Sequence, residues 1–302
     1  MKYILQPYDE ALRAILEDGI RKTNRTGIDS LSIAGMQCQY DISERFPLLT
    51  KRKVWPKSIF AELLWVLSGS TNNKDLQALG SEIWTPWVSR EFEQENGYID
   101  GALGPIYGFQ LRHFGGRYGN GAKRQFEVYE SSEGYQYKKE WPYGYGGFDQ
   151  LQLMINTLKN DPDSRRNLFS LWNPRDLPFQ RLPCCHYTFQ ILVEGDGLVG
   201  ILTQRSCDMP IGCGANLILY SALIYMLAQQ TGYKPKTLVH NTGDSHIYVN
   251  QIGAVEEYLS RETPPSPTFL LNKKPDIFSY ALDDFKITDY KPLSKIDIPL
   301  AI

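Results

Sequence analysis

The sequence predicts an α+β fold whose sheet is not a doubly wound parallel one. Two observations carry that expectation. Segments with helical and with alternating apolar period are interspersed, without the regular strand–helix–strand succession that a doubly wound sheet requires. A tight-turn signal, Asp196-Gly197, lies between two strand-like runs and marks an antiparallel hairpin. At 302 residues the chain has room for one large domain or two small ones, and neither a repeat nor a long linker divides it.

Taken in order, residues 8–22 read as an amphipathic helix, with Ala11, Leu12, Ile15, Leu16 and Ile20 on one stripe. Arg25-Thr26-Gly27 follows as a turn, and the partial alternation of residues 31–41 predicts a strand. Residues 58–67 are apolar enough for a buried helix, which Gly69 stops. Residues 115–147 are rich in Gly, Tyr and charge and read as a surface insertion that packs down through its aromatics. A helix over 151–159 precedes Pro162. Residues 168–172, 186–193 and 198–204 are strand-like, 217–230 form a long buried helix and 250–261 another.

Composition excludes several classes. Hydrophobic residues make up 42% and charged residues 22%, ordinary for a globular protein and unlike a disordered chain, a collagen repeat or a disulfide scaffold. The net charge of −2 gives no global pull toward nucleic acid or an anionic membrane. Five cysteines, an odd number, leave at least one thiol free. The N-terminus lacks the apolar core and cleavage site of a secretory signal. The most apolar run, residues 215–228, falls short of the ~20 residues that span a bilayer. A cytoplasmic location and no membrane association are the expectation.

Four stretches carry candidate chemistry. In Leu182-Pro183-Cys184-Cys185-His186 a cysteine could serve as nucleophile if a positive neighbourhood supplies thiolate character. His186 is a poor direct base there, because adjacent strand residues point to opposite faces. The alternatives are a pair of buried structural cysteines, or a zinc site completed by Cys207 and Cys213, which two adjacent strand residues would serve badly. Asp163-Ser164-Arg165-Arg166 suits a phosphate dianion, since guanidinium binds it in a bidentate fork; a solvated basic turn is the alternative. Gln204-Arg205-Ser206-Cys207-Asp208 puts Arg, Ser and Asp at a strand end, as a ligand site or as a salt-bridged terminus. In Gly243-Asp244-Ser245-His246-Ile247-Tyr248, His246 and Tyr248 share one face of an extended segment and either hold neighbouring hydroxyls or form a core pair.

Nearly end to end, the chain resembles the thymidylate synthase family. The matching stretches are Arg25-Thr26-Gly27, Phe46-Pro47-Leu48-Leu49-Thr50, Glu62-Leu63-Leu64-Trp65, Ile83-Trp84 and Leu103-Gly104-Pro105-Ile106-Tyr107-Gly108. They continue through Asp161-Pro162-Asp163-Ser164-Arg165-Arg166, Trp172-Asn173-Pro174, Cys185-His186, Gln204-Arg205-Ser206-Cys207-Asp208, Asn216, His246-Ile247-Tyr248 and the closing Pro299-Leu300-Ala301-Ile302. The resemblance implies one domain over 1–302, a mixed β-sheet covered by helices, a sheet face forming the interface of a homodimer, and the insertion near 115–147 as a family-variable element. It implies methylation of dUMP to dTMP, with 5,10-methylenetetrahydrofolate as carbon donor and reductant and no metal. Carried over by position, Cys185 adds to C6 of the uracil. Arg25, Arg205 and Ser206 hold the phosphate together with Arg165 and Arg166 of the other subunit. Arg205 also lowers the thiol pKa. Asn216 pairs with N3–H and O4, and His246 and Tyr248 bind the 3′-hydroxyl. Glu62 runs the proton relay with Tyr107 assisting, and Arg205, Asp208 and Asn216 belong to the same catalytic set. Ile83, Trp84, Trp87, Asp208, Gly212, Tyr248 and Ile302 line the folate site, with Arg52 for the folate tail.

Several residues depart from that pattern. Cys184 stands where a proline is usual, and Arg52 where a lysine is common. Met209-Pro210 and Cys213-Gly214-Ala215 replace bulkier residues, with Ala215 at a folate-packing phenylalanine position; a lost ring forfeits ~150–250 Å² of buried surface. These departures admit a dUMP hydroxymethylase, in which water replaces hydride and the product is 5-hydroxymethyl-dUMP. Asn216, in place of an aspartate, argues against a cytosine substrate. An inactive homologue kept as an RNA-binding regulator is the third class, and no catalytic residue is missing to favour it.

Overall fold

In a computed structural model, which describes residues 6–118 and 146–301, the amphipathic N-terminal segment forms helix α1, Gln6–Asp18. It ends four residues before the sequence predicts. A Cβ on Gly19 would stand 2.3 Å from the Ile15 carbonyl oxygen, so the chain turns away there on a residue without one. Ile20 is therefore not on the helix stripe; it opens strand β1, Ile20–Lys22, and is 67% exposed. The turn around Arg25 leads into β2, Ser30–Asp41. Helix α2, Pro56–Ser68, is capped by Gly69 as the sequence implies, but it begins two residues earlier than expected, at Pro56 in its first turn. Three short helices were not foreseen: α3, Asn73–Ala78; α4, Arg90–Asn96; and α5, Tyr107–Arg112. Each is only two turns or less, too short for a periodic signal.

The ends of the expected insertion are clamped. Phe114 and Phe148 exchange backbone hydrogen bonds of 3.0 Å, and Arg112 makes a buried ion pair with Asp149. Residues 119–145, most of the segment, lie outside the described residues, as does Ile302. Helix α6, Gln150–Asn160, follows.

The remaining strands build a mixed sheet. They are β3, Leu168–Ser170; β4, His186–Glu194; β5, Gly197–Gln204; β6, Cys207–Asp208; and β7, Lys234–Tyr248. The order is β1-β2-β7-β5-β4-β3, with β6 also paired to β7. All pairs are antiparallel except β5 and β6 against β7. This is the mixed α+β sheet expected. The hairpin turn sits one residue earlier than its sequence signal, on Gly195 and Asp196, because Gly195 supplies the positive φ of 65°. Beyond the sheet come α8, Ile252–Ser260, entered through a 3₁₀ turn at Val249–Gln251, and a small antiparallel pair, β8, Thr268–Leu271, with β9, Phe285–Thr288.

Between β6 and β7 runs the central helix α7, Gly214–Thr231, preceded by a π-type turn at Met209–Cys213. The helical run Met209–Thr231 is 23 residues long and contains an 18-residue stretch with a mean hydropathy of 1.7. By length and composition it could cross a bilayer, which corrects the sequence expectation: the helix extends past the apolar run at both ends. Its apolar character serves the core instead. Leu217, Leu223, Ile224 and Leu227 are buried in one hydrophobic cluster with Phe60 of α2, Met154 of α6 and Leu202 of β5. Sheet and helices therefore share one core, and a cavity opens where the ends of β4, β5 and β7 meet α2 and the start of α7.

Candidate active site

The cavity encloses about 1160 Å³ and gathers residues from across the sequence. Cys185 lies just before β4, its N–H donating to the Tyr107 hydroxyl at 2.8 Å. Cys184, its neighbour, is fully buried in the core. Of the two adjacent thiols only Cys185 faces the cavity. Arg205 braces this corner: Nε donates to the Cys184 carbonyl at 3.0 Å, and Nη2 to the Pro183 carbonyl at 2.8 Å and to Cys185 Sγ at 3.7 Å. Its guanidinium also lies 5.5 Å from the Trp172 ring centroid. The thiol pKa does not fall below its ordinary value as expected. Burial pushes it up, and Arg205, Tyr107 and Arg25 oppose that rise without cancelling it. Cys184 is pushed up further, chiefly by burial.

His186 lines the cavity as well as Cys185. Strict alternation fails because Cys185 precedes the strand and the β4–β5 register shifts between His186 and Thr188. The imidazole is stacked on Tyr107 with ring centroids 4.2 Å apart, and its Nδ1 is 2.7 Å from the Tyr220 hydroxyl. Burial, with His240 nearby, pushes its pKa down to about 3, so it is neutral at physiological pH. Opposite stands Glu62 of α2, whose carboxylate accepts from Trp84 Nε1 at 2.6 Å. Burial raises its pKa to about 7, against the lowering effect of the Trp84 bond. A carboxyl poised near neutrality can both give and take a proton.

At the start of α7, Asn216 donates from Nδ2 to Gln204 Oε1 at 3.1 Å. The same oxygen lies 2.9 Å from His240 Nε2, while Gln204 Nε2 donates to the Ser206 carbonyl. The amide of Asn216 thus has a fixed orientation toward the cavity. On β7, His246 and Tyr248 share a face as expected, with ring centroids 5.1 Å apart. Asp244 Oδ1 accepts from His246 Nδ1 at 2.9 Å, leaving Nε2 for a ligand. Hydrogen bonds from His246, Ser32 and Lys22 hold the Asp244 carboxyl well below the usual carboxylate range.

The other side is less regular. Trp84 and Trp87 stand with ring centroids 5.6 Å apart, and Ile83 lies at the rim. Asp208 accepts from the Ile211 N–H at 3.1 Å, and burial raises its carboxyl pKa. Arg52 donates to the Pro210 carbonyl at 2.7 Å, so part of its guanidinium anchors the π-type turn that carries Gly212. Residues 295–301, near the chain end, complete the wall with Ile296, Ile298 and Leu300.

Arg25, Arg52, Glu62, Ile83, Trp84, Trp87, Tyr107, Cys185, Arg205, Ser206, Asp208, Gly212, Asn216, His246 and Tyr248 all line this cavity. Arg165 and Arg166 do not: both are exposed in the turn before edge strand β3, with the Arg165 carbonyl accepting from Gln190. Among the described residues, no three His, Cys, Asp or Glu side chains converge as metal ligands. Gln204, Trp172, Asp244 and Gln251 also shape the site, in roles that no motif in the sequence marks. Asp244 was discoverable, since a carboxylate two residues from His246 shares its strand face. Gln204 and Trp172 stand inside stretches singled out for their neighbours, and Gln251 reaches Asp208 and Pro299, both distant in sequence.

The sequence profile of the family described as thymidylate synthase matches residues 6–302. Human thymidylate synthase is 40% identical over 295 residues, covering 96% of this chain and 88% of that protein. The thymidylate synthase of varicella-zoster virus (strain Dumas) is 39% identical over 292 residues, covering 95% and 91%. That of equine herpesvirus 2 is 37% identical over 299 residues, covering 98% and 97%.

Proposed function

Because this chain belongs to the thymidylate synthase family and is a dTMP-forming methyltransferase acting on dUMP, we propose a specific division of labour among its site residues. The observation that carries it is Cys185 Sγ beside Arg205, facing a cavity where Glu62, Tyr107 and Asn216 converge. A hydroxymethylase reading is not favoured, since the similar proteins bear the synthase name.

Arg25, Arg205 and Ser206 bind the dUMP phosphate, and His246 Nε2 with Tyr248 the 3′-hydroxyl. Asn216 reads N3–H and O4 of uracil, its amide oriented through Gln204. Cys185 Sγ adds to C6, and the C5=C6 electron pair moves toward O4, where Asn216 and a proton relayed from Glu62 meet the charge. C5 then bonds to the methylene carbon of the folate as one of that carbon's bonds to the folate nitrogens breaks, and the second breaks after the C5 proton has left. Glu62 takes part in removing the C5 proton, with Tyr107 assisting, and Cys185 is expelled as the product forms. The thiol pKa is raised in the free protein, with Arg205, Tyr107 and Arg25 opposing that rise. 5,10-Methylenetetrahydrofolate supplies both the carbon and the hydride. The residues present fit it: Trp84 and Trp87 offer apolar faces to a flat ring, Asp208 offers a half-buried acceptor to its polar edge, and Arg52 retains a charge for its anionic tail.

We assign Arg165 and Arg166 to the phosphate site of a second subunit in a homodimer with the sheet face as interface. Their exposure at β3, away from their own cavity, supports this. Five free thiols suit a reducing compartment, and we place the protein in the cytoplasm, as a single domain over 1–302.

Incubation with dUMP and 5,10-methylenetetrahydrofolate should yield dTMP and dihydrofolate; 5-hydroxymethyl-dUMP with tetrahydrofolate would overturn the reading. Mixing Cys185→Ala with Arg165→Ala protomers should restore activity, since one site of each heterodimer inherits neither defect. Proven heterodimers that stay inactive would return the arginines to their own subunit.

A further inference from the structure

We infer that Gln251 is a positioning residue that joins the chain's terminal segment to the proposed folate site; the inference rests on the family reading above. Gln251 closes the 3₁₀ turn after β7 and is 0% exposed. Its amide is fully engaged. Nε2 donates to Asp208 Oδ2 at 3.2 Å and to the Pro299 carbonyl at 3.0 Å, and Oε1 accepts from the Tyr248 N–H at 3.1 Å. Two acceptors face Nε2 and one donor faces Oε1, so only one orientation of the amide satisfies all three. The three partners belong to different parts of the wall: Asp208 faces the folate half, Tyr248 the sugar, and Pro299 sits within the terminal stretch that contributes Ile298 and Leu300.

A buried group with this wiring makes the position of the terminal segment depend on the orientation of Asp208. A folate that engages Asp208 therefore strengthens the seat of residues 298–301, and seating that segment in turn steadies Asp208. Without Gln251, Asp208 keeps its bond from Ile211 but loses its second donor, and the Pro299 carbonyl loses its partner.

The test uses Gln251→Leu, which removes all three bonds at similar volume, and Gln251→Glu, which keeps the shape but sets a carboxylate against the Asp208 and Pro299 oxygens. Binary dUMP affinity is measured by calorimetry, KM for 5,10-methylenetetrahydrofolate by turnover, and seating of the terminal segment by its rate of digestion with carboxypeptidase. In the wild type, dUMP plus tetrahydrofolate should slow digestion well beyond dUMP alone. In both variants that extra protection should vanish, KM for the folate should rise about tenfold or more, and dUMP affinity should stay within about threefold. Equal losses of dUMP and folate binding, with a lowered Tm, would mean a merely structural residue. Unchanged KM and protection would overturn the inference outright. If the wild type made no dTMP while tetrahydrofolate still protected the terminus, the family reading would fail and the linkage would stand. Should Gln251→Leu fail to fold, Gln251→Glu alone decides.

Discussion

The two halves of the cavity are built differently. The half assigned to the nucleotide hangs on the ends of β4, β5 and β7, where β7 pairing holds His246 and Tyr248, the Arg205 N–H donates to the Cys185 carbonyl at 2.9 Å just beyond the β4–β5 ladder, and the side chains of Arg205, Asn216 and His246 each have a polar partner behind them. The half assigned to the folate rests on a π-type turn, a 3₁₀ turn at Thr85–Trp87 and a strandless terminal segment, tied together by side-chain hydrogen bonds from Arg52, Gln251 and Glu62's partner Trp84. Strand ends pre-organise geometry for covalent chemistry, whereas turns and terminal segments can yield to admit a second, larger molecule. Of the departures that distinguish this chain, Met209-Pro210 and Cys213-Gly214-Ala215 fall in the second half, whereas Cys184 is buried behind the first.

The sharpest way to break this contrast is at the nucleophile. Cys185→Ala should abolish turnover while calorimetry still detects dUMP. Cys184→Ala, which touches only the core, should keep most activity and lower stability by roughly 1–2 kcal/mol. The reverse pattern would put the nucleophile one residue earlier. Next in size is Glu62→Gln, expected to lower kcat by roughly 10²–10⁴-fold and to remove a pH limb centred near 7. The sign of the stability effect follows from the raised pKa. Between the ordinary carboxylate value of 4.5 and about 7 the folded chain holds a proton that the unfolded chain has released, so this group makes stability fall as pH rises through that window. Trp84→Phe removes the bond that lowers the pKa and should shift the kinetic limb upward. A limb that stays put would separate Glu62 from the relay.

A smaller effect is expected at base recognition. Asn216→Asp should narrow the dUMP-over-dCMP preference, measured as relative kcat/KM, by about tenfold or more, because a carboxyl group meets the cytosine amino group better than an amide does. Unaltered discrimination would remove Asn216 from base reading. Least disruptive is Gly212→Ala in the yielding half. A Cβ there meets nothing within 4 Å, so the fold should hold and only the folate KM should move, by roughly twofold to fivefold. A loss of dUMP affinity in this variant would erase the distinction between the halves.

How much the sequence disclosed follows the same division. Helix α2 announced itself by apolar density and its closing Gly69, and β4–β5 by their turn. Strand β7 did not, although it is 15 residues long, because Gly243, Asn241 and Asp244 have weak strand preference; pairing on both flanks with β2 and β5 holds it extended. Cys185 was legible as a candidate from its motif, yet the separation of its fate from that of Cys184 depends on Arg205, 20 residues on, pulling the carbonyls of 183 and 184 to one side. Gln251 was invisible, since its partners at 208 and 299 lie 43 and 48 residues away.

The indole of Trp84 donates at 2.6 Å to a carboxyl group whose proton comes and goes near pH 7. That pairing makes the site its own optical reporter. Indole emission is sensitive to the charge and acidity of a hydrogen-bonded neighbour, so the fluorescence of Trp84 should titrate with Glu62 rather than with bulk conditions. In a background where Trp55, Trp87 and Trp172, the other cavity-lining indoles, are replaced by Phe, the emission should show an inflection near 7 that Glu62→Gln erases. Ligands that desolvate the carboxyl further would displace that inflection, giving a label-free measure of how each one changes the proton affinity of the site.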